Sequence, residues 1–397
     1  MKIGVVYFES DNVEGASINQ KNRELVAKLA QQAKVDMDFI DVNDVDTCDL
    51  VFSFIGGGGT EGNFSQVYKK LPEPMFLLTT GANNSLAASM EILSFLRQQD
   101  IEGEIIHGSE EYMVNRISTI VKCFTAINKL SNYRIGRVGK PSDWLISSNV
   151  DAKESKETNG IEIVDIDMQE FFDEIAKKEY VENEFTKAFL ENRFDEAEKQ
   201  KALEIYGALR RIVDKYQLNG VTVRCFDLLK PVKGTGCVAL AILNAEGIYA
   251  SCEGDTPSLI SMAILGELTG EPCFQANPSR ILTDSNEIVF AHCTLPVNMY
   301  DSCELMTHFE SGLGVAFRGK IKEGPITVFK TDGLAQRYFV SSGTLEKNLS
   351  ERNLCRTQVL LKLDEDVNYF LTESIGNHHI IIKGDYVDLI HEFFRWF

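Results

Sequence analysis

Apolar positions in the first part of the chain follow two alternating patterns. Residues 2–8 (KIGVVYF) form a near-continuous apolar run, as in a strand covered on both faces, and 20–33 carry the spacing of an amphipathic helix. Strand patterns return at 35–41, 50–55 and 75–79, and a helix pattern covers 85–98 (SLAASMEILSFLRQ). Such β-α alternation predicts a parallel sheet with helices on both faces, an N-terminal α/β domain over 1–135.

A second α/β domain is expected over 136–295, its first strand pattern beginning in RIGRVGKPSDWLISS (134–148). The polar tract 151–159 (DAKESKETN) is expected to be a surface loop, and the charged tract 169–215 is helical in pattern. Strands are predicted near 221–227, 237–243 and 247–252. Over 296–397 the texture changes to short β-like runs broken by Gly, Pro and Asp, such as ITVFKTDG, RYFVSSG and TQVLLKL. That predicts a β-rich C-terminal domain, an antiparallel sheet or small barrel, closed by a helix at 386–395.

Composition narrows the function classes. The chain has 397 residues, 44% of them apolar, enough for two or three domains with their own cores. Its net charge of −19 repels phosphate backbones and anionic lipid, which argues against nucleic acid or a membrane surface as partner. No run approaches the ~20 apolar residues of a membrane span. Glu9 and Asp11 cut short the apolar N-terminal run, unlike a signal peptide, and a cytoplasmic protein is expected. Nine scattered cysteines without a Cys-x-x-Cys pair are expected to be reduced, mostly buried thiols.

Candidate chemistry begins at IYASCEGDTPSLISMAILGELTG (248–270), where a strand pattern runs into Cys252-Glu253 and a helix follows. Thr256 before Pro257 suits an N-cap, and Gly270 suits the stop. Glu253 is thus placed at the carboxyl end of a strand, where open α/β sheets hold ligands. Asp255 suits either catalysis or plain helix capping. His292 shares a strand face with Ile288 and Phe290, where a lone histidine is by default a satisfied core residue. Asn377-His378-His379 adds two imidazoles pointing to opposite faces, so at most one readily joins a given site. A carboxylate and two imidazoles from separate regions make a plausible open metal site.

Other signals are weaker. The run Gly56–Gly59 before Thr60 lacks both the P-loop ending and the GxGxxG spacing, and is expected to be a flexible loop near a site. His308 and Glu310 are two apart, fitting a structural pair or a substrate contact. Trp144, Phe309 and Tyr338 are candidate substrate-facing aromatics, though such residues are more often core.

Five segments together carry a resemblance: TTGANNSLAASMEILSFL, ASCEGDTPSL, AHCTLP, THFESGLGVAFRGKIKEGP and GNHHIIIKGDY. In this order they resemble the L-fucose isomerase-like family, related to the L-arabinose isomerases. The resemblance implies two Rossmann-like parallel-sheet domains followed by the β-rich, barrel-like domain. It further implies a homo-oligomer and a divalent metal, usually manganese (Mn2+), used to interconvert aldoses and ketoses. Carried over, the metal ligands are Glu253, His292 and His378 or His379, with His378 preferred because it directly follows Asn377. Asn277 falls where the family has its second acidic ligand; an amide carbonyl still binds a hard cation but cannot serve as a base. Glu253 and Asp255 are then the catalytic candidates, and His308, Glu310 and His379 the substrate-binding ones. The alternative, motivated by Asn277, is a diverged sugar- or sugar-acid-binding protein, or an epimerase or lyase.

Overall fold

A computed structural model describes residues 1–9 and 15–397; Asp11 lies outside them. The chain divides into two compact units, 1–128 with 392–397, and 129–391.

The first unit alternates β1 (Ile3–Phe8), α1 (Gly15–Ala33), β2 (Met37–Ile40), β3 (Leu50–Ile55), α2 (Glu61–Val67), β4 (Met75–Thr79), α3 (Ser85–Gln98), β5 (Gly103–Ile106) and α4 (Glu110–Leu130). The strands form one parallel sheet in the order β2-β1-β3-β4-β5. Val5, Phe52 and Phe76 pack with Val26 and Ile117 on one face, while Val6, Val51 and Leu77 pack with Phe64 and Ile92 on the other. Apolar residues at both parities explain why these strands read as unbroken runs. The glycine run is a tight turn between β3 and α2, where Gly58 N–H donates to the Asn83 carbonyl (2.7 Å) and the Thr60 hydroxyl to that of Gly57 (2.8 Å).

The second unit opens with β6 (Arg134–Val138), α5 (Ala152–Asn159), β7 (Glu162–Ile166), α6 (Met168–Ile175), α7 (Glu184–Glu191), α8 (Glu196–Tyr216), β8 (Gly220–Val223), α9 (Cys237–Ala245), β9 (Tyr249–Cys252) and α10 (Thr256–Thr269). Its four strands form a second parallel sheet, β7-β6-β8-β9. Two expectations are corrected here. Residues 237–245 form helix α9, not a strand; Cys237 through Leu243 are all buried, and a helix apolar all round has no periodicity to separate it from a buried strand. Residues 152–159 form α5, not a loop: the Asp151 carboxylate accepts from Glu154 N–H and Gly160 ends the helix in the left-handed region.

Beyond α10 lie β10 (Phe274–Leu282), β11 (Glu287–His292), the hairpin β12 (Ser302–Met306) and β13 (Ala316–Lys320), β14 (Gly324–Thr331), β15 (Tyr338–Asn348), β16 (Thr357–Leu363), α11 (Tyr369–Thr372), β17 (His379–Lys383) and α12 (Val387–Trp396). Strands β10-β11-β16-β15-β14-β17 close an antiparallel barrel, so its first two strands precede residue 296. Phe274, Ile288, Phe290, Val328, Val359 and Ile381 belong to its core. No helix among the described residues is long and apolar enough to cross a membrane, and all nine cysteines are free thiols.

Candidate metal centre

Three chain regions of the second unit meet at one point. Glu253 leaves the end of β9 in the left-handed region (φ 66°), a conformation rare for a residue with a side chain. Gly254 follows at φ 71°, and a Cβ there would lie 2.6 Å from the Lys140 carbonyl oxygen, so only glycine fits. The turn is held by Ser142 N–H on the Glu253 carbonyl (2.9 Å), Gly254 N–H on that of Val223 (2.9 Å), and Cys252 N–H on Gln275 Oε1 (2.7 Å). Asp255 then caps α10 through Ser258 N–H (3.0 Å), one residue earlier than the Thr256 cap expected. These contacts fix the Glu253 carboxylate against the end of the barrel.

Barrel strand β11 delivers His292 and the entry to β17 delivers His378, their rings 5.3 Å apart and nearly perpendicular. One ligand atom from each of Glu253, His292 and His378 lies within 4.8 Å of the others, and all three residues are buried. Each imidazole is oriented through Nδ1: His292 by the Thr294 hydroxyl (2.8 Å), His378 by Asp255 Oδ2 (2.8 Å). An ionised carboxylate only accepts, so His378 Nδ1 carries a proton. Its Nε2, 3.6 Å from Glu253 Oε1, is buried without a hydrogen-bond partner. An orphaned imidazole nitrogen beside a carboxylate and a second imidazole is the donor set that divalent cations take.

Electrostatics sharpen the picture. Burial works against the Glu253 charge, but His378, His292 and the Trp144 indole hold its pKa down to about 2. Burial and the neighbouring His378 lower His292 to about 4, so it is neutral at physiological pH. Burial likewise opposes a charge on His378, yet Asp255 and Glu253 hold its pKa at about 9 without a cation. Burial also disfavours ionised Asp255, but Lys330 and His378 keep it well below the usual carboxylate range.

The remaining sequence candidates fall around this cluster unequally. Asp255 is fully buried, with both oxygens engaged by Ser258 and His378 rather than open to a ligand. Asn277 is half-buried on β10, opposite Ala291, on the strand face of Gln275, which reaches Cys252. His308 is buried beside the Ser311 hydroxyl (3.0 Å), edge-on to Phe226 at 5.6 Å, and Phe226 meets Trp144 edge-on at 4.8 Å. Glu310 is exposed and is not part of the cluster. His379 points into the barrel core, surrounded by Phe290, Phe339, Tyr369 and Phe370, with Nε2 3.1 Å from the Tyr369 hydroxyl. Alternation along the strand therefore separates the two adjacent histidines. Of the candidate aromatics, Trp144 reaches the cluster by donating its indole N–H to Glu253 Oε2 (2.6 Å). Phe309 lies beneath Arg356, and the Tyr338 hydroxyl meets His391 Nδ1 at 2.8 Å.

Sequence reasoning missed Thr294, Gln275 and Lys330. Thr294, two residues after His292, was the only one with a local signal.

Fold and site together define a class: a parallel α/β sheet whose strand end presents a carboxylate to two imidazoles at the mouth of an antiparallel barrel. No protein-family model matches the chain. It is similar to the sulfoquinovose isomerase of Priestia aryabhattai, 24% identical over 269 residues, covering 64% of this chain and 60% of the relative. The sulfoquinovose isomerase of Priestia megaterium (strain ATCC 12872 / QMB1551) matches to the same extent, with 24% identity over 269 residues. That of Clostridium sp. (strain MSTE9) is 24% identical over 308 residues, 70% of this chain and 66% of the relative. The chain thus spans about 60% of the length of the Priestia relatives it matches.

Proposed function

We propose that this chain is a metal-dependent aldose–ketose isomerase acting on an open-chain sugar, with Glu253, His292 and His378 holding a divalent cation, manganese by preference. The single observation that carries the reading is the buried cluster of one carboxylate and two imidazoles with an orphaned Nε2. The sulfoquinovose isomerase relatives support the reaction class and make sulfoquinovose the first substrate to try.

When bound, the cation would supply Lewis acidity to neighbouring sugar oxygens. The protein's own residues do the rest. Glu253, ionised and held from one side by Trp144, takes the proton from C2 and returns it to C1 on the same face while a proton passes from O2 to O1. His292 and His378 present nitrogens whose directions are set by Thr294 and Asp255. Asp255 positions His378 and does not reach the substrate. Asn277, on the strand face of Gln275, would offer a cation only a neutral carbonyl, and His308 lies along the Trp144–Phe226 wall, where it would meet the sugar. Glu310, exposed on the same loop, is a candidate for the outer hydroxyls.

The test is incubation of the purified chain with Mn2+ and a panel of aldoses including sulfoquinovose, L-fucose and L-arabinose, followed by detection of ketose. In deuterated water, solvent exchange at C2 accompanies turnover. No ketose from any sugar, with stoichiometric cation bound, overturns the reading and favours a binding protein, epimerase or lyase, the alternative to which the lone free carboxylate at Glu253 and neutral Asn277 point.

A further inference from the structure

We propose that Lys330 is a positioning residue for this centre, acting through Ser258 and Asp255 to hold His378 in the orientation that aims Nε2 at Glu253. The inference rests on reading the cluster as a cation site. Lys330 lies on β14, and its side chain is almost wholly buried (2% exposed). Its ammonium donates to the Ser258 hydroxyl at 2.8 Å and stands 3.8 Å from Asp255 Oδ1. Ser258 in turn donates to Asp255 Oδ2 at 2.7 Å, and His378 Nδ1 donates to the same oxygen at 2.8 Å.

The direction of every bond in this chain is dictated from one end. An ammonium has donors only, so the Ser258 hydroxyl accepts from it and must turn its single proton towards Asp255. The carboxylate has acceptors only, so it keeps a proton on His378 Nδ1 and makes Nε2 the nitrogen that gives up its proton to a cation. With a cation on Nε2 the His378 imidazole would be neutral, and fully buried Asp255 would then be an uncompensated charge without a second partner. Lys330 supplies the counter-charge, its ammonium 3.8 Å from Asp255 Oδ1; burial lowers its pKa and Asp255 offsets part of that lowering. The register is secured next door, where Thr331 N–H donates to Ser261 Oγ at 3.1 Å and ties β14 to α10. A lysine serving only to fill the space between helix and barrel needs no such relay ending at a ligand atom.

The experiment compares full-length wild type, Lys330→Met, Ser258→Ala and Ser258→Thr for Co2+ binding. It uses calorimetry, the visible spectrum of the bound ion, and melting temperature as a separate check on folding. Lys330→Met and Ser258→Ala should each weaken Co2+ by about 10–100-fold and alter its visible bands. Ser258→Thr, which keeps the hydroxyl, should restore both. Because the two residues act in series, the double variant should bind little worse than the weaker single one. A folded Lys330→Met protein with wild-type affinity and spectrum overturns the role assigned to Lys330 while leaving the cation site standing. If Lys330→Met fails to fold, the Ser258 pair decides by the same criteria. A wild type that binds no Co2+ at all overturns both this role and the reading beneath it.

Discussion

Trp144 and Glu253 are 109 residues apart in the chain, yet the indole Nε1 donates to Glu253 Oε2 at 2.6 Å. One carboxylate oxygen is thus held by the loop after β6 while the other faces His378. Trp144 is itself half exposed (53%), so this contact sits at the boundary between the buried cluster and solvent.

Cation binding should therefore be visible in Trp144 fluorescence. In a Trp396→Phe background Trp144 is the only indole left, since the chain has two tryptophans. Titration with Mn2+ should quench or shift its emission saturably, with the same midpoint as calorimetry. Trp144→Phe should weaken cation binding a few-fold and move the acid midpoint for cation release to higher pH, because a donor that stabilises the Glu253 charge is gone.

Glu253→Gln removes the one carboxylate of the cluster and the base of the proposed proton transfer. Turnover should fall at least 10²–10⁴-fold, the usual value of a positioned proton-transfer group. Cation affinity should fall as well, measured by calorimetry on the purified variant. Retention of turnover within ten-fold would exclude Glu253 as the base.

The metal-free protein should have a stability optimum bounded by the site histidines. His378 has a folded pKa raised from 6.5 to about 9, so its contribution is fully present below about 6.5 and lost as pH rises through 9. His292 is depressed from 6.5 to about 4, so its neutral form favours the fold above 6.5, and that contribution is lost as pH falls through 4. Glu253 adds acid sensitivity further down, between 4.5 and about 2. Cation binding must displace the His378 proton, so affinity should rise with pH up to about 9, with close to one proton released per ion at pH 7. Urea melts from pH 4 to 10, and calorimetry in buffers of different ionisation enthalpy, check both.

Gly254→Ala should cost about 2–4 kcal/mol, combining a positive φ with a Cβ pressed onto main chain. The added Cβ would sit 2.6 Å from the Lys140 carbonyl oxygen and 2.8 Å from Pro141 Cα, neither of which is a flexible side-chain end. The melting temperature reports the cost, and the loss of cation affinity should exceed that of a remote variant of equal stability.

His379→Phe should leave cation affinity within about two-fold of wild type. Its ring lies among four aromatic side chains, and burial lowers its pKa to about 3, so phenylalanine matches the environment. The variant costs the Tyr369 hydroxyl its 3.1 Å partner His379 Nε2, but that oxygen still accepts from Ile375 N–H at 2.9 Å, so the loss falls on the barrel core and not on the cation site. A large loss of binding would restore His379 to the site.

Much of this protein was legible from sequence because its signals are local. Helix α3 over 85–98, the strand ending at Cys252, and the C-terminal β runs follow from periodicity and turn residues within a few positions. Helix α9 was read as a strand because its neighbours bury every face, erasing the period. Glu253, His292 and His378 were picked out from a strand end, a strand face and a resemblance, but their convergence depends on α10 and barrel closure bringing residues over 120 positions apart into contact. The preference for His378 over His379 rests, in the sequence, only on its place directly after Asn377. Alternation says only that they diverge, and it took the aromatic packing around one and Asp255 against the other to assign them. Lys330 and Gln275 had no sequence signal at all, since a buried lysine looks like any other until the carboxylate that neutralises it is placed beside it.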